Sequence, residues 1–222
     1  GNKLSISLEP QYRDIVYFPE SQAFVFLQKN GGFATCAFLQ SQQSQQKSSQ
    51  PLIKTICHRA STIECMCKIG DNFLATGGSD CCFNLWSVPD FSLQMSIPIK
   101  SSLIVDINGD AVIERLVAID DQNLVYSAST NPPRHISTFP LNLEEKIIRN
   151  HILVLRNAQI AIASDSSDGK TFILSFFDIR GILLDRKRFD GKIVKFFPLY
   201  PSPGETFIVV FAYPKKNIMV ID

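Results

Sequence analysis

The segment from Cys57 to Asp90, CHRASTIECMCKIGDNFLATGGSDCCFNLWSVPD, constrains the possible folds of this chain more than any other stretch. Phe73–Thr76 and Cys82–Trp86 are predicted strands, and the second alternates apolar and polar residues as a half-buried strand does. Between them, Gly77–Asp80 predicts a tight turn in which glycine supplies a positive φ without steric cost. The segment is therefore expected to form one small antiparallel sheet.

The same pattern of strands and turns recurs along the chain. The second strands of successive units are predicted to begin near residues 23, 73, 115, 159 and 206, which gives spacings of 50, 42, 44 and 47. Removing an 11-residue insert, Gln40–Gln50, reduces the first spacing to 39. This insert is so rich in Gln and Ser that it cannot bury a core, and it is predicted to be a disordered loop. Repeats of about 40–45 residues with four short strands are typical of propeller blades.

The 57–90 segment resembles a WD40 repeat, in which Gly-His precedes the first strand and Trp-Asp closes the third. His58 occupies the histidine position, with Cys57 in place of the glycine, and Trp86 closes the third strand, with Ser87 in place of the aspartate. The resemblance implies an all-β fold, a WD40-like β-propeller with at least five four-stranded blades, which can form part of a seven-bladed ring. A β-sandwich is the alternative, but it does not explain the repeat spacing.

The resemblance also implies a structural network. Thr76 and Asp80 match the Ser/Thr and the turn aspartate that the family links to its His and Trp. In such a network Asp80 accepts a hydrogen bond from the His58 ring, Thr76 relays it, and the Trp86 N–H finds an acceptor. These four residues would satisfy buried polar groups and would perform no chemistry.

The two ends of the chain leave the number of blades open. We treat residues 1–222 as a single propeller domain or a fragment of one. The fifth predicted unit lacks a fourth strand, and Lys3–Leu8 is a predicted strand without a unit of its own. Either this first strand closes the ring or further blades precede Gly1.

Composition argues against several classes of function. The chain has 222 residues and a formal net charge of +1, so no overall field attracts it to nucleic acid or to an anionic membrane. Its longest apolar run, Phe207–Tyr213, is far shorter than the ~20 residues that span a bilayer. No signal-peptide pattern is visible at the first residues, and we expect a cytoplasmic protein without direct membrane insertion.

The six cysteines could indicate disulfides or a zinc site. They all lie in the first 82 residues: Cys36, Cys57, Cys65, Cys67, Cys81 and Cys82. No C-x₂-C pair is matched by a second one, so we interpret them as small buried hydrophobic residues, with a metal site as the alternative. Free thiols favour a reducing, intracellular compartment. We expect no metal and no cofactor.

Other motifs favour structural readings. Asp165–Lys170 lacks the ligand series of a calcium loop and predicts a hairpin turn. The basic cluster Arg186–Arg188 alternates with apolar residues and predicts an outer strand with a solvated face. His135 and His151 are interpreted as ordinary strand residues, and no catalytic motif accompanies them.

Two segments bear a narrower resemblance to the WD40 propeller that follows the BEACH domain in beige-type proteins. His58–Ile63 leading into Phe73–Asp80 is similar to the best-formed blade of that family, and Phe176–Leu184 is similar to its strand, short turn and following strand. This resemblance implies a large cytosolic scaffold that acts in vesicle traffic, lysosome-related organelles or autophagy. It further implies a BEACH-like domain upstream and a location peripheral to endomembranes.

Two functions from different classes are compatible with these observations. The first is a non-catalytic scaffold for protein–protein interaction, and the second is a propeller enzyme, such as a hydrolase with its site in the central channel. A channel site needs inward-pointing charged residues from several first strands. The predicted first strands instead offer the apolar residues Val16, Ile63, Val105 and Val194, which favours the scaffold.

A partner is expected to bind one face of the propeller, because loops vary where blades cannot. In the best-formed blade, that face carries Ser79 and Arg59, and arginine is enriched among binding anchors. The neighbouring unit would add Asn108–Asp110 and Asp120–Asn123, so that the face mixes charge signs. A mixed face suits a protein or peptide partner better than nucleic acid, which requires a continuous positive surface.

Overall fold

A computed structural model describes residues 12–21, 23–28, 33–37, 52–56, 62–99, 103–141, 147–166, 169–199, 207–213 and 217–221. The predicted strand Lys3–Leu8, the Gln40–Gln50 insert, and the site residues His58 and Arg59 lie outside these ranges.

The described residues form β-strands and turns and contain no helix. The strands connect up and down into antiparallel sheets, which we call blades 1 to 5 in chain order. Blade 1 contains β1 (Tyr12–Phe18), β2 (Ala23–Gln28), β3 (Phe33–Ala37) and β4 (Leu52–Ile56). Blade 2 contains β5 (Ile63–Ile69), β6 (Phe73–Gly78), β7 (Cys82–Ser87) and β8 (Leu93–Pro98).

The remaining blades have the same order. Blade 3 contains β9 (Ile104–Asp110), β10 (Arg115–Asp120), β11 (Leu124–Thr130) and β12 (Pro133–Pro140). Blade 4 contains β13 (Ile147–Val154), β14 (Ile160–Ser166), β15 (Thr171–Phe177) and β16 (Leu183–Asp190). Blade 5 has three described strands, β17 (Lys192–Leu199), β18 (Phe207–Tyr213) and β19 (Asn217–Ile221). The predicted units therefore correspond to the observed blades.

Apolar cores between facing sheets hold neighbouring blades together. On β10, Leu116 and Ala118 belong to the core shared with blade 2, whereas Val117 and Ile119 belong to the core shared with blade 4. Successive side chains of a strand point to opposite faces of the sheet, so a middle strand covered on both sides is apolar at most of its positions. Similar cores join blade 1 to blade 2 and blade 4 to blade 5.

The first strands of neighbouring blades lie next to one another. Contacts connect β1 to β5, β5 to β9, β9 to β13 and β13 to β17. Each first strand therefore occupies the inner position of its blade, and the outer strands β8, β12 and β16 lie at the periphery. This is the arrangement of a β-propeller, as the repeat spacing predicts.

The predicted role of the glycines in blade 2 was wrong. Gly77 and Gly78 are buried within β6, the turn follows them, and the residue with positive φ is Cys81 at 54°. Glycine is required there by close approach instead. A Cβ on Gly77 would lie 2.5 Å from Cγ2 of Ile104 in blade 3, and a Cβ on Gly78 would collide with the carbonyl oxygen of Thr62.

Candidate functional site

Trp86 and Thr76 form a buried hydrogen bond across two middle strands. Their strands are paired so that Trp86 lies opposite Leu74, two residues before Thr76. The indole N–H donates to Thr76 Oγ1 at 2.9 Å, and the threonine is fully buried. An indole N–H in a core needs such an acceptor, because a buried donor without a partner destabilises the fold.

Asp80 organises the turn between β6 and β7. Its Oδ1 accepts a hydrogen bond from the Cys82 N–H at 3.3 Å, and its Oδ2 accepts one from Asn84 Nδ2 at 3.0 Å. Asn84 is itself buried, so the aspartate satisfies a polar group inside the blade. The predicted bond from His58 to Asp80 lies outside the described residues and stays a prediction.

We expect that Asp80→Ala lowers the free energy of unfolding by about 1–3 kcal/mol, because it leaves the buried Asn84 amide without this acceptor. Thermal and urea denaturation followed by circular dichroism measure the change. Asp121→Ala is the matched control, since Asp121 is an exposed carboxylate in the corresponding turn of blade 3. An Asp80 variant as stable as the control would contradict this role.

A ladder of polar side chains joins blades 3 and 4. On β9, Asp106 Oδ2 accepts from the Ile152 N–H at 2.9 Å, and Asn108 Oδ1 accepts from the Val154 N–H at 3.0 Å. The spacing of two residues on both strands lets one face of β9 satisfy N–H groups of β13, the inner strand of the next blade. An edge strand next to a core requires such partners for its backbone.

The ladder ends at the turn that follows β9. Asp110 Oδ1 accepts from the Val112 N–H at 2.8 Å, and its Oδ2 lies 3.4 Å from Arg156 Nε. Near the ladder's other end, His151 Nδ1 lies 3.8 Å from Asp106 Oδ2. Every acidic side chain of β9 is thus engaged with its own turn or with blade 4.

These positions correct two predictions made for blade 3. Asn108–Asp110 was placed on the same face as Ser79. In an up-and-down sheet, the end of a first strand lies at the opposite end from the turn between the second and third strands, so Asp110 lies on the other face. The apolar residue Val105 also did not represent the character of β9, because the polar residues Asp106 and Asn108 on this strand make the contacts to blade 4.

Asp120 was predicted on the partner face and is instead fully buried. Its Oδ1 accepts from the N–H groups of Gln122 and Leu124 at 2.9 and 2.8 Å, and its Oδ2 accepts from the Tyr126 hydroxyl at 2.8 Å. Burial, followed by the hydrogen bond to Asp120, raises the pKa of Tyr126 well above that of an ordinary tyrosine. Asp120 therefore caps the β10–β11 turn, and of the segment Asp120–Asn123 only Asp121 and Gln122 are exposed.

A comparable carboxylate joins blades 4 and 5. Asp165 is buried on β14, and its Oδ1 accepts from the Ile193 N–H at 3.0 Å. The hairpin predicted for Asp165–Lys170 is present at its described residues, where the Gly169 N–H donates to the Ser166 carbonyl at 3.0 Å. Sequence reasoning missed Asp106, Asn108 and Asp165 as linking residues. For Asp106 and Asn108, the signal was a polar residue at alternate positions among the apolar residues of β9.

Ser79 ties its turn to the residue that precedes β5. Its N–H donates to the Thr62 carbonyl, and its Oγ accepts from the Thr62 N–H, both at 2.9 Å. Thr62 Oγ1 also donates to Glu64 Oε1 at 3.1 Å. Ser79 is exposed on the predicted partner face, but its polar groups already serve the turn.

The four cysteines of blade 2 are free thiols. Cys65 is buried, and Cys67, Cys81 and Cys82 are partly buried. Desolvation raises the pKa of Cys65 and Cys67, so both remain protonated and poorly nucleophilic at neutral pH. Within the described ranges, no group of three or more His, Cys, Asp or Glu side chains could hold a metal ion.

β16 is the outermost strand of blade 4, where the basic cluster Arg186–Arg188 was predicted to lie. The turn before it is closed by Asp178, whose Oδ1 accepts from the N–H groups of Ile182 and Arg180 at 2.8 and 2.9 Å. The backbone hydrogen bond from Ile182 is the largest cause that lowers the pKa of Asp178. The described part of the chain contains no helix and therefore no helix that is long and apolar enough to cross a membrane.

No protein-family model matches the sequence, and no curated protein matches it. Among solved structures, the chain is similar to the WD40 domain of Toxoplasma gondii coronin, with a TM-score of 0.62 and 11% identity over 96% of this chain and 56% of that one. It is also similar to the β-propeller domain of Myceliophteria thermophila Cps50 (Swd1), with a TM-score of 0.64 and 8% identity over 89% of this chain and 65% of that one.

At these identities, the likeness establishes the fold, which is that of a WD40-type β-propeller. The chain spans less than two thirds of the length of either solved structure.

Proposed function

We propose that this chain is a non-catalytic scaffold that binds a protein or peptide partner on one propeller face. One observation carries the proposal: the acidic side chains of the inner strand β9 and of β14 accept hydrogen bonds from neighbouring blades. A carboxylate in such a bond stabilises the assembly of blades and is not positioned to activate water in a channel. The WD40-type fold agrees with this role, since rigid blades present variable loops.

The alternative, a hydrolase with a central-channel site, requires turnover. We expect the purified 222-residue chain to show no activity on a panel of ester, glycoside and phosphate substrates above a boiled control. Turnover that is lost in Asp106→Asn, while the thermal stability of the variant is retained, would establish the alternative.

We also propose that the chain belongs to a BEACH-type protein that acts at endomembranes in vesicle traffic, lysosome-related organelles or autophagy. The support is the similarity of His58–Ile63, Phe73–Asp80 and Phe176–Leu184 to the propeller of that family. Sequencing the complete transcript tests the context, because a BEACH domain must precede these residues. Cell fractionation tests the location, and a protein absent from every membrane fraction would contradict the endomembrane proposal.

The proposed partner face contains Arg59, beside the predicted network residue His58, and Ser79. We expect Arg59→Glu to weaken recovery of a protein partner in pull-down at least about tenfold, which corresponds to about 1.4 kcal/mol of binding free energy. The free energy of unfolding should stay within about 0.5 kcal/mol, as for a surface substitution.

Arg134→Glu is the matched control, because Arg134 is exposed on the outer strand β12, away from this face. It should leave recovery of the partner unchanged. Equal recovery with the two folded variants would remove Arg59 from the proposed face.

A further inference from the structure

A cleft of about 320 Å³ lies between blades 2 and 3. It is formed by the β5–β6, β9–β10 and β11–β12 turns, which lie at the opposite end of the blades from Ser79. Its lining includes the apolar residues Ile69, Phe73 and Ala111 and the polar residues Glu114, Thr130 and Asn131. The volume is at the small end of the range of about 300–1,000 Å³ for ligand sites, so it suits one long side chain better than a cofactor.

The walls of the cleft are held by direct contacts. The Thr130 N–H donates to the Glu114 carbonyl at 3.0 Å, and Asn131 Nδ2 donates to Glu114 Oε1 at 2.9 Å. The two blades meet closely at Gly70, where a Cβ would lie 2.8 Å from the Cβ of Ala111. The turns and the carboxylate are therefore pre-organised, which lowers the ordering cost of binding.

The charge, the hydrogen-bond acceptors and the aromatic surface of the lining indicate which ligand the cleft would bind. Among the described residues, Glu114 is the only charged one that lines the cleft. Asn131 donates a hydrogen bond to its Oε1 atom, and among the described residues no hydrogen-bond partner is seen for Oε2. Asn131 Oδ1 is a second acceptor, because the amide nitrogen is the atom that faces Glu114. Phe73 is half-buried and contributes an aromatic surface beside these acceptors.

We propose that this cleft binds the arginine side chain of a peptide segment. A guanidinium group is planar, stacks on aromatic rings, and presents a fork of donors that matches the Glu114 carboxylate and the Asn131 carbonyl. Its methylene groups would cover the exposed side chain of Ala111. This adds a second contact point to the proposed scaffold function, and it rests on that function only in assigning the arginine to a peptide.

The test uses the isotope-labelled 222-residue chain and acetyl-arginine methylamide as the probe, titrated to millimolar concentrations and followed by amide chemical shifts in NMR. We expect saturable shifts at the amides of Gly70, Ala111 and Glu114. Acetyl-citrulline methylamide has the same shape without the charge, and it should bind at least about tenfold more weakly, as expected for loss of a charged hydrogen bond. Higher salt should weaken the arginine probe and not the citrulline probe.

Glu114→Gln should reduce binding of the arginine probe at least about tenfold, and Glu20→Gln, the same change at an exposed turn of blade 1, should not. The absence of shifts, equal binding of the two probes, or unchanged binding by the folded Glu114→Gln variant would each overturn the proposal. The comparison of the two probes uses the unmodified chain, so it tests the proposal even if the Glu114→Gln variant does not fold. Because the cleft and Ser79, the described residue of the proposed partner face, lie at opposite ends of the blades, a negative result here leaves the pull-down outcome intact.

Discussion

Trp86→Ala is expected to lower the free energy of unfolding by about 3–5 kcal/mol, the usual cost of truncating a large aromatic residue in a core. Trp86 lies in the core between blades 1 and 2 with Phe18, Met66 and Leu74. The alanine would leave a cavity at this interface, and it would also remove the N–H that donates to buried Thr76. The cavity and the lost hydrogen bond both destabilise the fold, so we expect the largest loss of stability at this position.

The variant Trp86→Phe separates the cost of the cavity from the cost of the lost hydrogen bond. Phenylalanine fills most of the space and lacks the N–H, so its cost should be nearer about 1–2 kcal/mol. Urea denaturation followed by circular dichroism measures both variants, since substitution removes the only tryptophan and with it the fluorescence signal. If the two variants lost equal stability, or if Trp86→Ala lost less than about 1 kcal/mol, Trp86 would not be a core residue of this interface.

The second large effect is expected at the β10–β11 turn, where Asp120→Ala should cost about 2–4 kcal/mol. The alanine would remove the acceptor of three donors, the N–H groups of Gln122 and Leu124 and the Tyr126 hydroxyl. The exposed end of the turn can regain water, but the hydroxyl of Tyr126 is buried and cannot do so readily. Thermal and urea unfolding provide the measurement.

A double-mutant cycle isolates this bond. In a Tyr126→Phe background, Asp120→Ala should cost less than in the wild type, because the buried hydroxyl that needs a partner is no longer present. Additive costs would show that the Asp120–Tyr126 bond contributes nothing measurable to stability. Asp120→Asn keeps an acceptor for the turn and should fall between the wild type and the alanine variant.

The same contact predicts a dependence on alkaline pH. The pKa of Tyr126 is raised in the fold, so the folded state holds its proton at pH values where an unfolded tyrosine has lost it. The stability contributed by the neutral phenol is therefore complete below about pH 10 and decreases as the pH rises above that value. Tyr126→Phe should remove this part of the alkaline loss.

Much of the architecture could be predicted, because strands and turns follow from local patterns of apolar and polar residues. The segment Cys82–Trp86 alternates over a few residues, and its observed strand, β7, differs from the prediction by one residue at one end. The contacts between blades could not be predicted in this way, because their partners are far apart in sequence, as Asp165 and Ile193 are.

The sequence by itself determined the class of fold and the succession of blades, because strand periodicity and hairpin turns depend on neighbours within one unit. Only the tertiary structure decided which polar residues join blades. Asn108 and Val154 are bonded although they are 46 positions apart, and no local pattern encodes the register of one sheet on the next. For the same reason, the sequence placed Asp120 on a loop, whereas the packing of blade 3 buries it and leaves its neighbour Asp121 exposed.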